Sequence, residues 1–207
     1  MDWTLADIRE SVRKYTGMLS TQQVSDSDLN EAINDFYVNE FPLLIGRNEL
    51  MTWHNFDTTA GTGQYSLDVD IIKIVLPIYV DDSPVWTTHD RALFFANYPW
   101  DVTTQSQPDA ALIDEDGTLY LRPIPDDAYE VKFLVLQRPD SLANDSDMPA
   151  DPAWGRAVAV GTAVHIFMDQ GDIEAANELQ GLLTALLTQI NRKELLLMAN
   201  KEAIRRF

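Results

Sequence analysis

The feature that most constrains this chain is a change in the spacing of its apolar residues, helical at both ends and alternating in the middle. Thr4 is a cap residue with Asp7 three positions on, and Trp3 stands where it can staple onto Ile8. Leu5, Ile8, Val12 and Tyr15 then share one helical face until Gly17 stops the run. The same grammar recurs at Val24 and Ser25 with Asp28 downstream, and Leu29, Ile33, Phe36, Tyr37 and Phe41 follow up to a close expected at Pro42. From Glu49 the period drops to two. Met51, Trp53 and Asn55 oppose Leu50, Thr52, His54 and Phe56, a turn at Gly61 to Gly63 leads into Gln64, and a continuous apolar run starts at Ile71.

Turn chemistry divides the rest of the middle region. Asp81-Asp82-Ser83-Pro84 predicts a turn, and residues 87–98 predict a short helix capped by Thr87 or Thr88 and stopped before Pro99. Asp114 to Gly117 predicts a tight connection between strands at 110–113 and 118–122. Residues 116–139 read as a β-hairpin whose second arm puts Tyr129, Val131, Phe133 and Val135 on one face, with Glu130 and Lys132 opposite until Leu134 and Leu136 replace them.

Helical spacing returns at Asp151-Pro152, an aspartate cap followed by a first-turn proline. Trp154, Val158, Gly161, His165 and Met168 continue it, with small residues between them that permit close helix packing. After Gly171-Asp172, one face carries Ile173, Ala176, Leu179, Leu183, Leu186 and Ile190, and the pattern runs on less cleanly to Phe207, which predicts a bend or a separate arm near residues 191–194. The expected fold class is therefore α+β: a helical bundle made from the N- and C-terminal helices, with an inserted antiparallel β-sheet domain. The expected divisions are 1–46 for the first helices, 47–150 for the β domain, 151–191 for the last helices and 192–207 for a basic apolar arm.

The 207 residues suffice for a proper core. There is no cysteine, which excludes disulfides, thiolate metal sites and cysteine nucleophiles. The N-terminus lacks a basic stretch followed by an apolar one, and no run approaches the roughly 20 apolar residues of a membrane span, so the chain reads as soluble and unprocessed, with no membrane partner. The net charge of -18 is unevenly placed: residues 1–191 carry 10 Lys/Arg against 31 Asp/Glu, whereas residues 192–207 carry five against two. An acidic body gains no affinity for DNA from counterion release, which disfavours ordinary nucleic-acid binding. The tail has the opposite sign.

A search for chemistry finds none that the spacing supports. His54 lies in an alternating strand, His89 near a short helix, and His165 four residues before Asp169 with no third metal ligand placed. Asp114-Glu115-Asp116-Gly117 lacks the alternating ligands and terminal glutamate of a calcium loop, and Gly61 and Gly63 lack the Lys-Ser/Thr of a phosphate loop. No pair among the 33 carboxylates stands out for hydrolysis. No cofactor, metal or catalytic residue is assigned. The clearest feature outside the core is the tail itself, where Leu195, Leu196, Leu197, Met198, Ile204 and Phe207 sit among Arg192, Lys193, Lys201, Arg205 and Arg206. Such a segment either docks on its own domain or binds another protein's acidic groove or a neighbouring copy.

Taken together, the architecture resembles the head-to-tail adaptor proteins of tailed bacteriophages. The resemblance is carried by the second helix from Asp28 to Tyr37, the strand and glycine turn from Phe56 to Leu67, the segment from Gly117 to Asp126, and Pro149-Ala150-Asp151-Pro152-Ala153-Trp154 opening a helix that ends before Gly171. It implies a structural link and no enzyme: a twelve-fold ring on the portal, built by the helical domain, with the C-terminal segment gripping the portal and a tail or nozzle protein beyond. DNA would pass through the centre without specific binding. On this reading the portal-binding residues are Arg192, Lys193, Leu195, Leu196, Leu197, Met198, Lys201, Ile204, Arg205, Arg206 and Phe207, and an acidic channel or surface is formed by Asp114, Glu115, Asp116, Asp126 and Asp127. The expected location is the virion's head-tail junction, with the host cytoplasm during assembly. A tail-terminator or other tail-completion subunit, and a virion-associated carboxylate hydrolase, are the alternatives.

Overall fold

The structure is a computed structural model that describes residues 3–18, 20–45, 50–98 and 104–204, with the side chains of 193–204 outside the description. The chain is mixed α+β and divides into two compact units, Met1–Glu49 with Pro139–Phe207, and Leu50–Arg138.

The helical unit begins with α1 (Leu5–Thr16), where Thr4 and Asp7 form the full capping box and Gly17 closes the helix in the left-handed region at φ 70°. Arg13, only 9% exposed, donates to the carbonyls of Met18, Ser20 and Val24 and to Asp26, so one guanidinium organises the connection to α2 (Asp26–Asn34). Ser25 caps α2 by accepting from the Asp28 amide. The helix does not stop at Pro42. A π-helical turn (Asp35–Glu40) follows α2, the Phe41 amide reaches back five residues to the Phe36 carbonyl, and α3 (Phe41–Ile45) continues through the proline. The widened turn carries the chain past a residue that has no N–H to give and would crowd an ordinary turn.

Residues 139–150, expected to close the β domain, belong to the helical unit, so the upper boundary falls at Arg138. Their backbone groups are satisfied there: the Asn34 side-chain amide both donates to and accepts from Leu142, the Leu5 amide donates to Asp147, and the Ala150 amide donates to the Tyr37 hydroxyl. A 3-10 turn (Pro152–Trp154) capped by Asp151 leads into α5 (Gly155–Asp169). Small residues let α5 sit at the centre of the unit. A side chain at Gly155 would meet Trp3, and one at Gly161 would meet the ring of Phe36. Gly171, at φ 77°, then turns the chain into α6 (Ile173–Ile204).

At residues 191–194, where the spacing predicts a bend or a separate arm, the helical hydrogen bonding of α6 runs on without interruption for 32 residues in all. No proline or glycine follows Gly181, and Arg192, Lys193, Glu194 and the leucines beyond are good helix formers. Ile173, read as part of the buried face, is 58% exposed because it stands in the first turn after the α5 connection, whereas Ala176 and Leu183 are buried.

The β unit contains two four-stranded sheets. One has the order β1 (Met51–Asp57), β8 (Glu130–Gln137), β3 (Ile71–Val80), β4 (Ser83–Pro84); the other has the order β2 (Gln64–Ser66), β7 (Thr118–Arg122), β6 (Ala110–Ile113), β5 (Trp86–Thr88). All pairings are antiparallel except β5 with β6. The connections expected at Asp81-Asp82 and at Asp114 to Gly117 are both there, joining β3 to β4 and β6 to β7. Asp81 and Asp82 both take positive φ, 47° and 61°, as a two-residue hairpin loop requires.

The hairpin expected over 116–139 is not formed. β7 pairs with β2 and β6, while β8 pairs with β1 and β3. Pro123-Ile124-Pro125 crosses from one sheet to the other, and the two strands meet face to face: Leu119 and Leu121 pack in one core with Val131, Phe133 and Val135, joined by Ile78, Val80, Val85 and Ala111. The alternation expected for β8 holds within this arrangement. The short helix is α4 (Arg91–Asn97), capped by Asp90 and not by Thr87 or Thr88, which are drawn into β5. Phe94 of α4 packs with Ala110, Leu112 and Tyr120 on the outer face of the second sheet. Covered on both faces, β6 and β7 are almost wholly buried.

Candidate functional site

The residues of the expected portal-binding segment lie on α6. Arg192 is exposed; Lys193, Leu195, Leu196, Leu197, Met198, Lys201 and Ile204 occupy its helical backbone, and Arg205, Arg206 and Phe207 lie outside the described residues. At 1.5 Å per residue α6 is about 48 Å long, whereas α5, which turns back beside it, is about 22 Å. α5 therefore accompanies only the first half of α6. The basic apolar segment is the continuation of α6 past the span of α5.

The five acidic positions form two groups, one in the turn before β7 and one beyond the Pro123-Ile124-Pro125 segment that follows it. Each is tied into local structure. Asp114 pairs with Arg91 at 2.6 Å and accepts from the Glu115 amide; Asp116 accepts from the Thr118 amide; Asp127 accepts from the Ala128 amide. Asp126 accepts a 2.7 Å hydrogen bond from the Tyr129 hydroxyl, which pushes that phenol up to about 12. Glu115 is exposed at the turn.

The histidines are held by packing. His54 lies 5.2 Å from the Phe133 ring, and His165 meets Phe36 edge-on while its Nε2 approaches Glu40 at 3.0 Å. His165 thus pairs with Glu40 of the π-helical turn, and not with the Asp169 that shares its helix. Among the described residues no group of three His, Asp or Glu side chains could hold a metal ion, and no helix is long and apolar enough to cross a membrane.

Two surfaces escaped the sequence reading. The first is a groove of about 570 Å³ in the helical unit, where Asp28, Glu31 and Asp35 come from α2 and the π turn and Asp169 from α5, above Val38 and Ile166. Its trace in the sequence is the spacing 28, 31, 35, which stacks three carboxylates on one helical stripe. The second is the outer face of the β1-β8-β3 sheet, where Trp53 is 54% exposed, lies tilted against Tyr79 with ring centres 6.3 Å apart and sits under the Lys132 ammonium at 5.5 Å. The period-two pattern placed Trp53 opposite His54 but gave no sign of which face would be covered.

A comparison with known families bears on what such a scaffold is for. A family model described as SU10 adaptor protein matches residues 3–203, nearly the whole chain. The chain belongs to the SU10 adaptor protein family. The match runs through both compact units, so the helical bundle and the β sandwich both belong to what defines this adaptor. Membership makes it a bacteriophage adaptor with a structural role, and implies a place in the virion and association with portal and tail components. None of the curated proteins compared with the adaptor matches it.

Proposed function

We propose that this adaptor is a head-to-tail connector: copies form a ring, twelve-fold as in the adaptors it resembles, beneath the portal, join capsid to tail, and leave a central passage for DNA during packaging and ejection. The observation that carries the reading is the family match over residues 3–203. Two physical features support it. The extension of α6 beyond α5 presents a helix with apolar and basic residues, the kind of element that lays itself into a groove on a partner. A body with a balance of -21 over residues 1–191 repels the phosphate backbone, so DNA slides past instead of being held. Residues 192–207 attach the protein to the portal, and the acidic groups at 114–116 and 126–127 face the DNA path. The role is mechanical and not enzymatic.

The test is size-exclusion chromatography with light scattering on the full chain, alone and with the portal protein of the same phage. The expected result is a large ring-shaped complex with portal, lost when residues 192–207 are deleted while the circular-dichroism signature of the remaining protein persists. A full chain that ignores portal and binds tail subunits would replace this reading with a tail-completion role.

A further inference from the structure

The acidic groove and the basic segment lie at opposite ends of the same helical pair. The α5 part of the groove is His165, Ile166 and Asp169, immediately before the Gly171 connection, and α6 starts at Ile173 beside it. Arg192 is 19 residues further along a continuous helix, about 28 Å away, and the segment beyond it recedes further. A chain therefore cannot fold its own tail into its own groove. The charges nonetheless match: the groove presents Asp28, Glu31, Asp35 and Asp169 with apolar Val38 and Ile166, and residues 192–207 carry five Lys/Arg against two Asp/Glu, again with apolar residues interspersed. Asp28, Glu31 and Asp35 repel one another along one stripe, which an incoming cation relieves.

We infer that the groove between α2, the π-helical turn and α5 takes the basic C-terminal segment of a second copy. Because donor and acceptor surfaces are different and sit at opposite ends of the helical unit, the contact is head-to-tail and propagates from copy to copy. It uses the same segment that the proposed function assigns to the portal, so portal competes with it: free copies hold each other's tails, and portal binding releases them. The volume of about 570 Å³ suits a few side chains rather than a whole helix, so the contact is weak, electrostatic and salt-sensitive.

The experiment is sedimentation velocity of the full chain without portal, over a range of concentrations at low and high salt. Wild type is expected to gain mean mass with concentration at low salt and to lose that gain at high salt. Glu31→Lys with Asp169→Lys in the groove, or Arg192→Glu with Lys193→Glu in the tail, should each weaken association at least tenfold with the circular-dichroism spectrum unchanged. Mixing the groove variant with the tail variant restores opposite charges across the contact and should restore association. Wild type that stays monomeric at every concentration, groove reversal that leaves association intact, or a mixture that fails to associate would each overturn the inference. Portal binding separates the two readings: the groove variant should still join portal, so loss of self-association with portal capture retained removes only the contact between copies. A tail variant that self-associates poorly yet captures portal normally would instead remove the portal assignment.

Discussion

Replacing Gly161 by alanine tests the packing at the centre of the helical unit, because the same substitution has opposite effects at two glycines of neighbouring helices. In a helix interior, glycine to alanine gains about 1 kcal/mol from the backbone alone. At Gly181 of α6 nothing lies within 4 Å of where the new methyl would go, so the gain should appear nearly whole. At Gly161 the methyl falls into the ring of Phe36, which is 1% exposed and is itself backed by Phe41 and His165 with ring centres at 6.0 and 5.2 Å. The ring has no space to retreat into, and overpacking of this kind costs about 1–3 kcal/mol. The steric term offsets the gain and leaves a net loss of up to about 2 kcal/mol. With a urea dependence of about 2 kcal/mol per molar, the midpoint should fall by up to about 1 M for Gly161→Ala and rise by up to about 0.5 M for Gly181→Ala, read from the helical circular-dichroism signal of the full chain. Phe36→Leu should cost less in the Gly161→Ala background than in wild type. A Gly161→Ala protein that gains stability like Gly181→Ala, or additive behaviour with Phe36→Leu, would refute the close approach of α5 to the π-helical turn.

Arg13→Met should destabilise the helical unit by about 2–4 kcal/mol, since three backbone carbonyls lose a charged donor that is itself buried, whereas Asp26→Asn should cost far less because that carboxylate is half exposed; urea titration distinguishes them. The Arg13 hydrogen bond holds the Asp26 carboxyl below its usual range, so its stabilisation is present above pH about 3.9 and is lost as pH falls through the depressed value; acid titration of Asp26→Asn should therefore show a shallower loss. In the β unit Tyr129 is pushed up to about 12 by its bond to Asp126, a contribution present below pH about 10 and lost as pH rises through 12. Ultraviolet titration of Asp126→Asn should return one tyrosine toward 10, and an unchanged titration curve would remove that hydrogen bond.

How much of this was legible depended on whether the deciding interaction was local. The caps at Thr4, Ser25 and Asp151 are satisfied within three residues, and the turns at Asp81-Asp82 and Gly117 are set by their own backbone, so each could be read directly. Period two placed Val131, Phe133 and Val135 on one face, but could not say what that face would meet. Leu119 and Leu121 satisfy the same pattern whether β7 lies beside β8 or across from it. The choice is made by Pro123 and Pro125, which lack the N–H groups a hairpin ladder would use, and by β6, already paired to β7 through the tight Asp114 to Gly117 turn. Pro42 misled for the opposite reason. Proline is a stop signal in an ordinary helix, and only the π turn before it, assembled around the buried Phe36 and Tyr37, lets the helix pass.

The candidate interfaces were less legible because an adaptor's contact residues are satisfied by other chains. A core position answers to neighbours in its own sequence and leaves a period; a surface that waits for a partner leaves only a mismatch. Both mismatches here are visible once the fold is known. The apolar period of α6 is clean up to Ile190 and loosens afterwards, near where α5 runs out alongside it, so the loosening coincides with the end of the α5 contact. The stripe Asp28, Glu31, Asp35 carries like-charge repulsion along α2 and the π turn; Asn39 donates to Asp35, and the π turn and α5 wall the stripe into a groove. The inferred contact between copies pairs a helix longer than its neighbour α5 with an acidic groove, of opposite sign and at opposite ends of one unit. That is the arrangement from which identical copies can join end to end, and it arises from charge and helix length alone, without any residue specialised for chemistry.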